Sequence, residues 1–410
     1  MRILHIEKML FYDSGVTSFV RAISELQRRR GHQVFLFGCS SPDSATSSLR
    51  YYDFTKSRNP FDLVRIIHNS QAANELSKFL WRNPIDIAHI HNIYHHLTPS
   101  ILGVLQDRQV PMVMTVHDYR LVCPTKHFLR LSYSENGKLV GEICFRCLPN
   151  RFYHAAALSC CGLAGVGLAI ESYFQRFFRR YYQPIEIFFC PTQFMRETLI
   201  KANLPASKAV VLPNIVEPIQ LPLDIKQSDR ELLYISRLTL EKSPDLMLEL
   251  AGRLRDARIT IVGDGPLFEQ MCRTIEQRSL DNVNLVGHVP HDRLGGFLKR
   301  AAAVVLTSRW IENSPQVMLE AMWAGRCVIV PDTPPLREWV RDGQTGRVFS
   351  PGSVDSLVEV ASEVLADSAA RSRMAEAARV MIQQRHNPEE IISKIEHYYQ
   401  EAIGRCVLRW

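Results

Sequence analysis

The chain has 410 residues, too many for one ordinary core and enough for two domains of nearly 200 residues each. With 46% hydrophobic and 22% charged residues it is a folded chain, not a disordered one. A net charge of +7, from 49 basic and 42 acidic residues, is too mild to point to nucleic acid. It suits an anionic small ligand or an anionic membrane surface.

Apolar runs bounded by turns begin at Ile3–Ile6, so the opening MRILHIEKMLF reads as a strand and not as a signal peptide. An amphipathic helix over Phe19–Arg29 follows, then runs at Val34–Phe37, Ile85–Ile90, Met112–Val116, Ile187–Phe189 and Val210–Leu212. The segment Pro213–Asp229 carries three prolines and reads as a linker. A second set of runs lies at Leu232–Ile235, Ile259–Val262, Val283–Val286, Ala303–Leu306 and Cys327–Val330. Strands alternating with helices imply parallel sheets covered on both faces, here in two doubly wound α/β domains. In such sheets ligands bind beyond the carboxyl ends of the strands. Two facing Rossmann-like domains would hold a ligand in the deep cleft between them.

Three strand ends carry candidate chemistry. After the first strand, Ser14-Gly15 precedes a helix, where backbone can approach an anion; the full G-x-G-x-x-G fingerprint is absent. After Leu232–Ile235 come Arg237 and Lys242, a guanidinium and an ammonium able to neutralise a diphosphate. No D-x-D triplet occurs, so a departing diphosphate would rely on protein cations and helix ends, with no cofactor required for catalysis.

The third is TSRWIENSPQVMLEAMWAGR, following Ala303–Leu306. Ser314 suits an N-cap, Pro315 a first helical residue and Gly325 a terminator, which predicts a helix over Pro315–Ala324. Glu312 stands before it and Glu320 within it, about 9 Å along from Ser314 by helix rise. That separation suits one carboxylate on a sugar and one on a ribose. The alternative for each is a structural ion pair.

The spacing Glu312, seven residues, Glu320 resembles the signature of glycosyltransferase family 4, retaining enzymes of the GT-B fold. Collinear landmarks agree: the Gly15 loop, VHDY at Val116–Tyr119, PTQF at Pro191–Phe194, VLPN at Val211–Asn214, SRLTLEK at Ser236–Lys242, GDGP at Gly263–Pro266 and VGHVP at Val286–Pro290. The resemblance implies that Gly15 offers backbone N–H to the diphosphate and that Arg237 and Lys242 bind it from the other domain. It puts Glu312 on donor-sugar hydroxyls, Glu320 on ribose hydroxyls and His117 close to the reacting sugar. Residues Asn313, Ser314, Pro315, Gln316 and Val317 complete the donor pocket. The family often has glycine where Ser236 and Ser243 stand, and glycine-rich sequence where Asn313-Ser314 stands.

The implied organisation is an acceptor domain over 1–215, a linker over 216–227, a nucleotide-sugar domain over 228–387, and a tail, 388–410, returning to the first domain. The implied reaction passes a sugar from a UDP- or GDP-linked donor to a glycan or lipid-linked acceptor with retention, in polysaccharide or glycoconjugate biosynthesis. A nucleotide-sugar epimerase and a non-catalytic sugar-nucleotide-binding component of an assembly complex are the alternatives.

Two features lie outside that scheme. Of ten cysteines, Cys123, Cys144, Cys147 and one of Cys160 or Cys161 could form a four-thiolate structural zinc site pinning the excursion 123–161; packed or free thiols are the alternative. The apolar run Ala155–Ile170 is shorter than the ~20 residues of a spanning helix. It leads into a basic aromatic helix, 170–183, with Arg176, Arg179 and Arg180. This suits peripheral attachment at an inner membrane face of a cytoplasmic protein, or else ordinary packing on the sheet.

Overall fold

The computed structural model describes residues 1–11, 14–41, 49, 65–133, 139–157, 160, 162–216 and 218–407. These divide into two compact units. Unit 1 comprises Met1–Lys126, Phe145–Ile215 and Pro388–Trp410; unit 2 comprises His127–Cys144 and Val216–Asn387. The cysteine-bearing excursion is therefore divided between them.

In unit 1 the elements run β1 (Arg2–Ile6), α1 (Gly15–Arg29), β2 (Gln33–Phe37), α2 (Ser70–Arg82), β3 (Ile87–Ile90), α3 (Ser100–Asp107) and β4 (Met112–Thr115). The chain then leaves for a hairpin in unit 2, β5 (Leu129–Tyr133) and β6 (Leu139–Ile143). It returns through α4 (Gly162–Tyr173), β7 (Ile187–Cys190), α5 (Gln193–Lys201) and β8 (Ala209–Val211). The sheet is parallel, in the order β2-β1-β3-β4-β7-β8. Both its faces are covered, which is why β1, β3, β4 and β7 read as continuous apolar runs without alternation. Phe19, Val20 and Ile23 of α1 recur at helical spacing and pack on Ile3, Ile87 and Val113.

Unit 2 continues β9 (Glu231–Ile235), α6 (Asp245–Arg253), β10 (Arg258–Val262), α7 (Phe268–Gln277), β11 (Val283–Gly287) and α8 (Leu294–Arg300). It ends β12 (Ala303–Val305), α9 (Gln316–Trp323), β13 (Cys327–Pro331), α10 (Pro334–Arg337), β14 (Arg347–Phe349), α11 (Val354–Ala366) and α12 (Ser368–Arg385). Its parallel sheet has the order β11-β10-β9-β12-β13-β14. Alternate residues of its strands fill two cores: Leu232, Tyr234, Ile259 and Ile261 face one, and Leu233, Val262, Val304 and Val328 the other. The final helix, α13 (Pro388–Val407), belongs to unit 1, where Ile391, Ile392, Ile395 and Tyr399 enter the core.

The strand order of unit 2 reverses between β9 and β12, which are hydrogen-bonded neighbours. That of unit 1 reverses between β1 and β3. Loops leaving such a switch point diverge and open a crevice at the carboxyl edge of the sheet. All three candidate segments of the sequence leave strands at these edges.

Candidate active site

In unit 2 the loop after β9 carries Arg237 and Lys242, and the loop after β12 carries Glu312. The switch point brings the last two together. Lys242 Nζ donates to Glu312 Oε1 at 2.5 Å, and Ser308 Oγ donates to the same oxygen at 2.5 Å. The ammonium also lies over the Trp310 ring, 4.9 Å from its centroid. Lys242 is held from behind: Tyr234 Oη and Thr307 Oγ1 both donate to its carbonyl, at 3.0 and 2.9 Å. The Arg237 side chain is exposed and has no partner among the described residues.

Ser243, where the family often has glycine, has φ +50, in the left-handed region glycine occupies without strain. The backbone thus keeps the path a glycine would give it. Close approach is secured by the GDGP loop instead. A Cβ on Gly263 would lie 1.9 Å from the Ser236 carbonyl oxygen, so only glycine lets that loop seat on the β9 loop.

The helix after Glu312 differs from expectation by one position. It begins at Gln316; Pro315, with extended backbone, is the N-cap, and no side chain caps the helix. Proline's missing N–H is harmless there, since the first turn has no carbonyls to bond. Ser314 therefore is not the cap. Its hydroxyl is buried without a hydrogen-bond partner among the described residues, as is Trp310 Nε1. Two orphaned polar atoms flanking Glu312 and a bare helix amino end form a cradle that lacks polar oxygens. Further along, Glu320 Oε1 is 2.9 Å from His291 Nε2 in the loop after β11. Asn313 is buried beside Glu312, and Gln316 and Val317 are half-buried in the first turn.

In unit 1, Ser14 caps α1 by accepting from Thr17 N at 3.2 Å, so Gly15 is the first helical residue. Its amide is one of the amino-end N–H groups, and no acidic side chain occupies the first turn. His117 follows β4, edge-on to Phe19 at 5.3 Å and 3.0 Å by its Nε2 from His91 Nδ1. Burial pushes its imidazole down to about 4, so it is neutral at physiological pH. Asp118 accepts from Arg120 N at 2.9 Å and closes the turn.

Sequence reasoning missed the other groups at this edge. Glu7 takes Asn92 N and Met9 N on its two oxygens, and burial pushes it up to about 7. Burial pushes Lys8 down, with Lys126 lowering it further and the nearby carboxylates of Glu7 and Asp118 opposing that. Arg120 is ion-paired with buried Glu171, and His95 Nδ1 lies 3.8 Å from the same carboxylate. The available signal was position: Lys8, His95 and Arg120 all follow strands of the switch point or its neighbour.

Cys123, Cys144, Cys147 and Cys160 are unbridged. Among the described residues no three of their sulfurs come within 4.8 Å of one another; the group that does is His5, His89 and His91. Cys161 lies outside the described residues. The apolar run is not one helix: a short turn, Phe152–Ala156, precedes α4. The basic aromatic stretch leaves α4 as a π-turn over Phe174–Phe178 and then becomes a turn, not a helix reaching 183. Arg176 points inward, donating to the Leu121 carbonyl at 2.9 Å and to the Ala202 carbonyl. Ile170, Phe177, Phe178, Arg179 and Arg180 remain exposed. Among the described residues no helix is long and apolar enough to cross a membrane.

Two family models match, overlapping near residue 200. Residues 14–215 match a glycosyl transferase 4-like domain and residues 198–381 match the glycosyl transferases group 1. A glycogen synthase of Mycobacterium tuberculosis is 36% identical over 154 residues, 36% of this chain and 37% of that protein. A lipopolysaccharide 1,2-N-acetylglucosaminetransferase of Salmonella typhimurium is 26% identical over 230 residues, 50% of this chain and 60% of that protein. The chain thus spans between about a third and three fifths of the length of these curated relatives. Among solved structures, Anabaena HepE in complex with UDP-glucose has a TM-score of 0.67 at 17% identity, covering 98% of this chain and 100% of that one. Sucrose-phosphate synthase from Thermosynechococcus elongatus has 0.71 at 16%, covering 98% and 99%.

Proposed function

The chain is a family 4-like glycosyltransferase of the GT-B fold, and from that premise we propose that it transfers a sugar from a nucleoside-diphosphate sugar to a glycan or lipid-linked acceptor with retention. The observation that carries this reading is the switch point of unit 2. There a lysine, a glutamate and an uncapped helix amino end, with two orphaned polar atoms, meet at the carboxyl edge of a parallel sheet. In this reading Lys242 and Arg237 take the diphosphate charge, and no metal is needed for its departure. Glu312, released from Lys242, accepts donor-sugar hydroxyls together with the Ser314 side chain. Glu320 exchanges His291 for the ribose hydroxyls.

In unit 1 by itself, the amide of Gly15 at the start of α1 offers an N–H suited to a phosphate, and neutral His117 is suited to a sugar hydroxyl. Lys8 and Lys126 supply positive charge for an anionic acceptor. The exposed Ile170, Phe177 and Phe178 beside Arg179 and Arg180 suit an anionic lipid surface, which supports a lipid-linked acceptor in polysaccharide or glycoconjugate assembly. The donors bound to the solved relatives contain UDP, which favours UDP over GDP.

A thermal-shift screen of UDP- and GDP-sugars tests the donor reading. At one hundred times Kd a ligand adds about 2.7 kcal/mol to the state that binds it, or roughly 5 °C or more for a unit of this size. One donor is expected to raise the melting temperature of the wild type and not of Glu320→Ala. If no nucleotide sugar shifts the wild type, or if the variant responds equally, the assignment of this pocket is wrong.

A further inference from the structure

The residues just before Glu312, Arg309, Trp310 and Ile311, are held from two sides within unit 2. On one side is the loop after β9. Arg309 N donates to the Glu241 carbonyl at 2.9 Å, Arg309 Nη2 donates to Asp245 Oδ2 at 2.7 Å, and the Lys242 ammonium stands over the Trp310 ring. On the other side is the hairpin β5–β6. The ring of His127, two residues before β5, meets the Trp310 ring at 4.8 Å and 79°, the perpendicular packing that aromatic rings favour. The Ile311 amide donates to the His127 carbonyl at 3.4 Å. In β6, a Cβ on Gly141 would stand 3.1 Å from Arg309 Cδ and 3.3 Å from Arg309 Cβ, so glycine lets that strand lie against the arginine stem.

Lys126 and Phe145, which flank the hairpin segment in sequence, belong to unit 1, yet these contacts fall on the loop that carries Glu312. Trp310 Nε1 has no partner among the described residues, so the indole is fixed through its ring surface and not through its polar atom. An ammonium is drawn to such a ring by the charge distribution of the π system, and that attraction does not depend on Glu312. When Glu312 turns to donor hydroxyls, the indole still holds Nζ in place. A ring without the hairpin behind it would be free to swing, and the ammonium with it.

We propose that the hairpin β5–β6 is a working part of the donor site, with His127 and Trp310 as positioning residues that hold Lys242 for the diphosphate. The inference rests on the assignment of Lys242 to that group.

The test is calorimetric binding of UDP and of GDP to the full chain, with no acceptor present and with melting temperatures to show that each variant is folded. His127→Ala removes the ring contact and is expected to weaken binding of the preferred nucleotide about 5- to 10-fold. His127→Phe keeps a ring there and is expected to bind within about 2-fold of the wild type. Gly141→Val drives a side chain against Arg309 from the other strand and is expected to weaken binding as His127→Ala does. In a Lys242→Met background, where there is no ammonium to position, His127→Ala should weaken binding no further. Equal affinity in the wild type, His127→Ala and Gly141→Val overturns the inference. So does His127→Phe binding as weakly as His127→Ala, or a His127→Ala loss that is undiminished in Lys242→Met, since a brace of general structural effect would act with or without the ammonium. A wild type that binds neither nucleotide would instead remove the donor reading itself, and this inference with it.

Discussion

Acidification is a direct test of the neutral histidines. His5 has a folded value of about 4, against about 6.5 in an unfolded chain. Between those values the unfolded chain takes a proton that the folded chain refuses. Stability present above about pH 6.5 is therefore lost as pH falls toward 4. From pH 7 to pH 5 the loss is set by the unfolded chain, at 1.36 kcal/mol per unit below 6.5, or about 2 kcal/mol for this one side chain. His117, His89 and His91 act in the same direction. Glu7 opposes them: raised to about 7, it binds a proton in the folded state first, and the same acidification returns about 2 kcal/mol. The wild-type slope is thus a sum, and a variant isolates one share of it. Urea unfolding followed by circular dichroism at pH 7 and pH 5 should show the wild type losing stability on acidification. His5→Phe should lose about 2 kcal/mol less, a measurable part of a total of roughly 5–15 kcal/mol. Equal losses in the two proteins would mean that His5 is not held neutral.

Three other measurements bear on separate parts of the molecule. Arg237→Ala removes an exposed guanidinium and should leave stability within about 0.5 kcal/mol; calorimetric donor affinity should fall about 10-fold or more, and unchanged affinity would take Arg237 out of the pocket. Metal analysis of the purified chain decides the cysteines: near one zinc per chain, lost in Cys144→Ser with Cys147→Ser, would establish the thiolate site, and no stoichiometric zinc would leave them as packed or free thiols. Flotation with anionic vesicles at low salt should recover the wild type and much less of Phe177→Ser with Phe178→Ser, each ring contributing about 1.5–3 kcal/mol if buried. Wild type that stays with the soluble fraction would remove the membrane from the reading.

The sheets were legible because parallel strands buried on both faces are short apolar runs between helices, and every such run became a strand. The hairpin β5–β6 was legible too and was missed: LRLSY alternates, and the Asn-Gly pair in the sequence that follows is a strong hairpin signal. The three-residue β14 has too few residues to show a period. The candidate donor segment was readable as a unit because Glu312 and its helix lie in one stretch of chain. What could not be read were partners distant in sequence. Lys242 meets Glu312 across 70 residues, and Gln27 meets Tyr399 across 372. His5, His89 and His91 stand in or beside apolar strands, where a histidine leaves the strand pattern intact and gives no hint of what its ring touches. Strand order made these meetings, and order depends on topology, not on local pattern.

The Lys242–Glu312 pair leaves one question that a double-mutant cycle can decide. Glu312 is only 4% exposed, and the Lys242 side chain is 23% exposed. Lys242→Met strands a buried carboxylate that has lost its cation, at a cost of about 3 kcal/mol. Glu312→Gln should cost less, because the freed ammonium can turn to water and still lie over Trp310. The double variant removes both charges and should return close to wild-type stability, a coupling of about 3 kcal/mol or more between the sites. Stability alone would make the pair a structural tie. Donor-induced melting shifts separate the two roles. If Lys242 holds diphosphate and Glu312 holds sugar, the double variant is stable but no longer responds to the donor. If it is stable and responds like the wild type, the pair only braces two loops, and the donor must be held by other groups at the switch point.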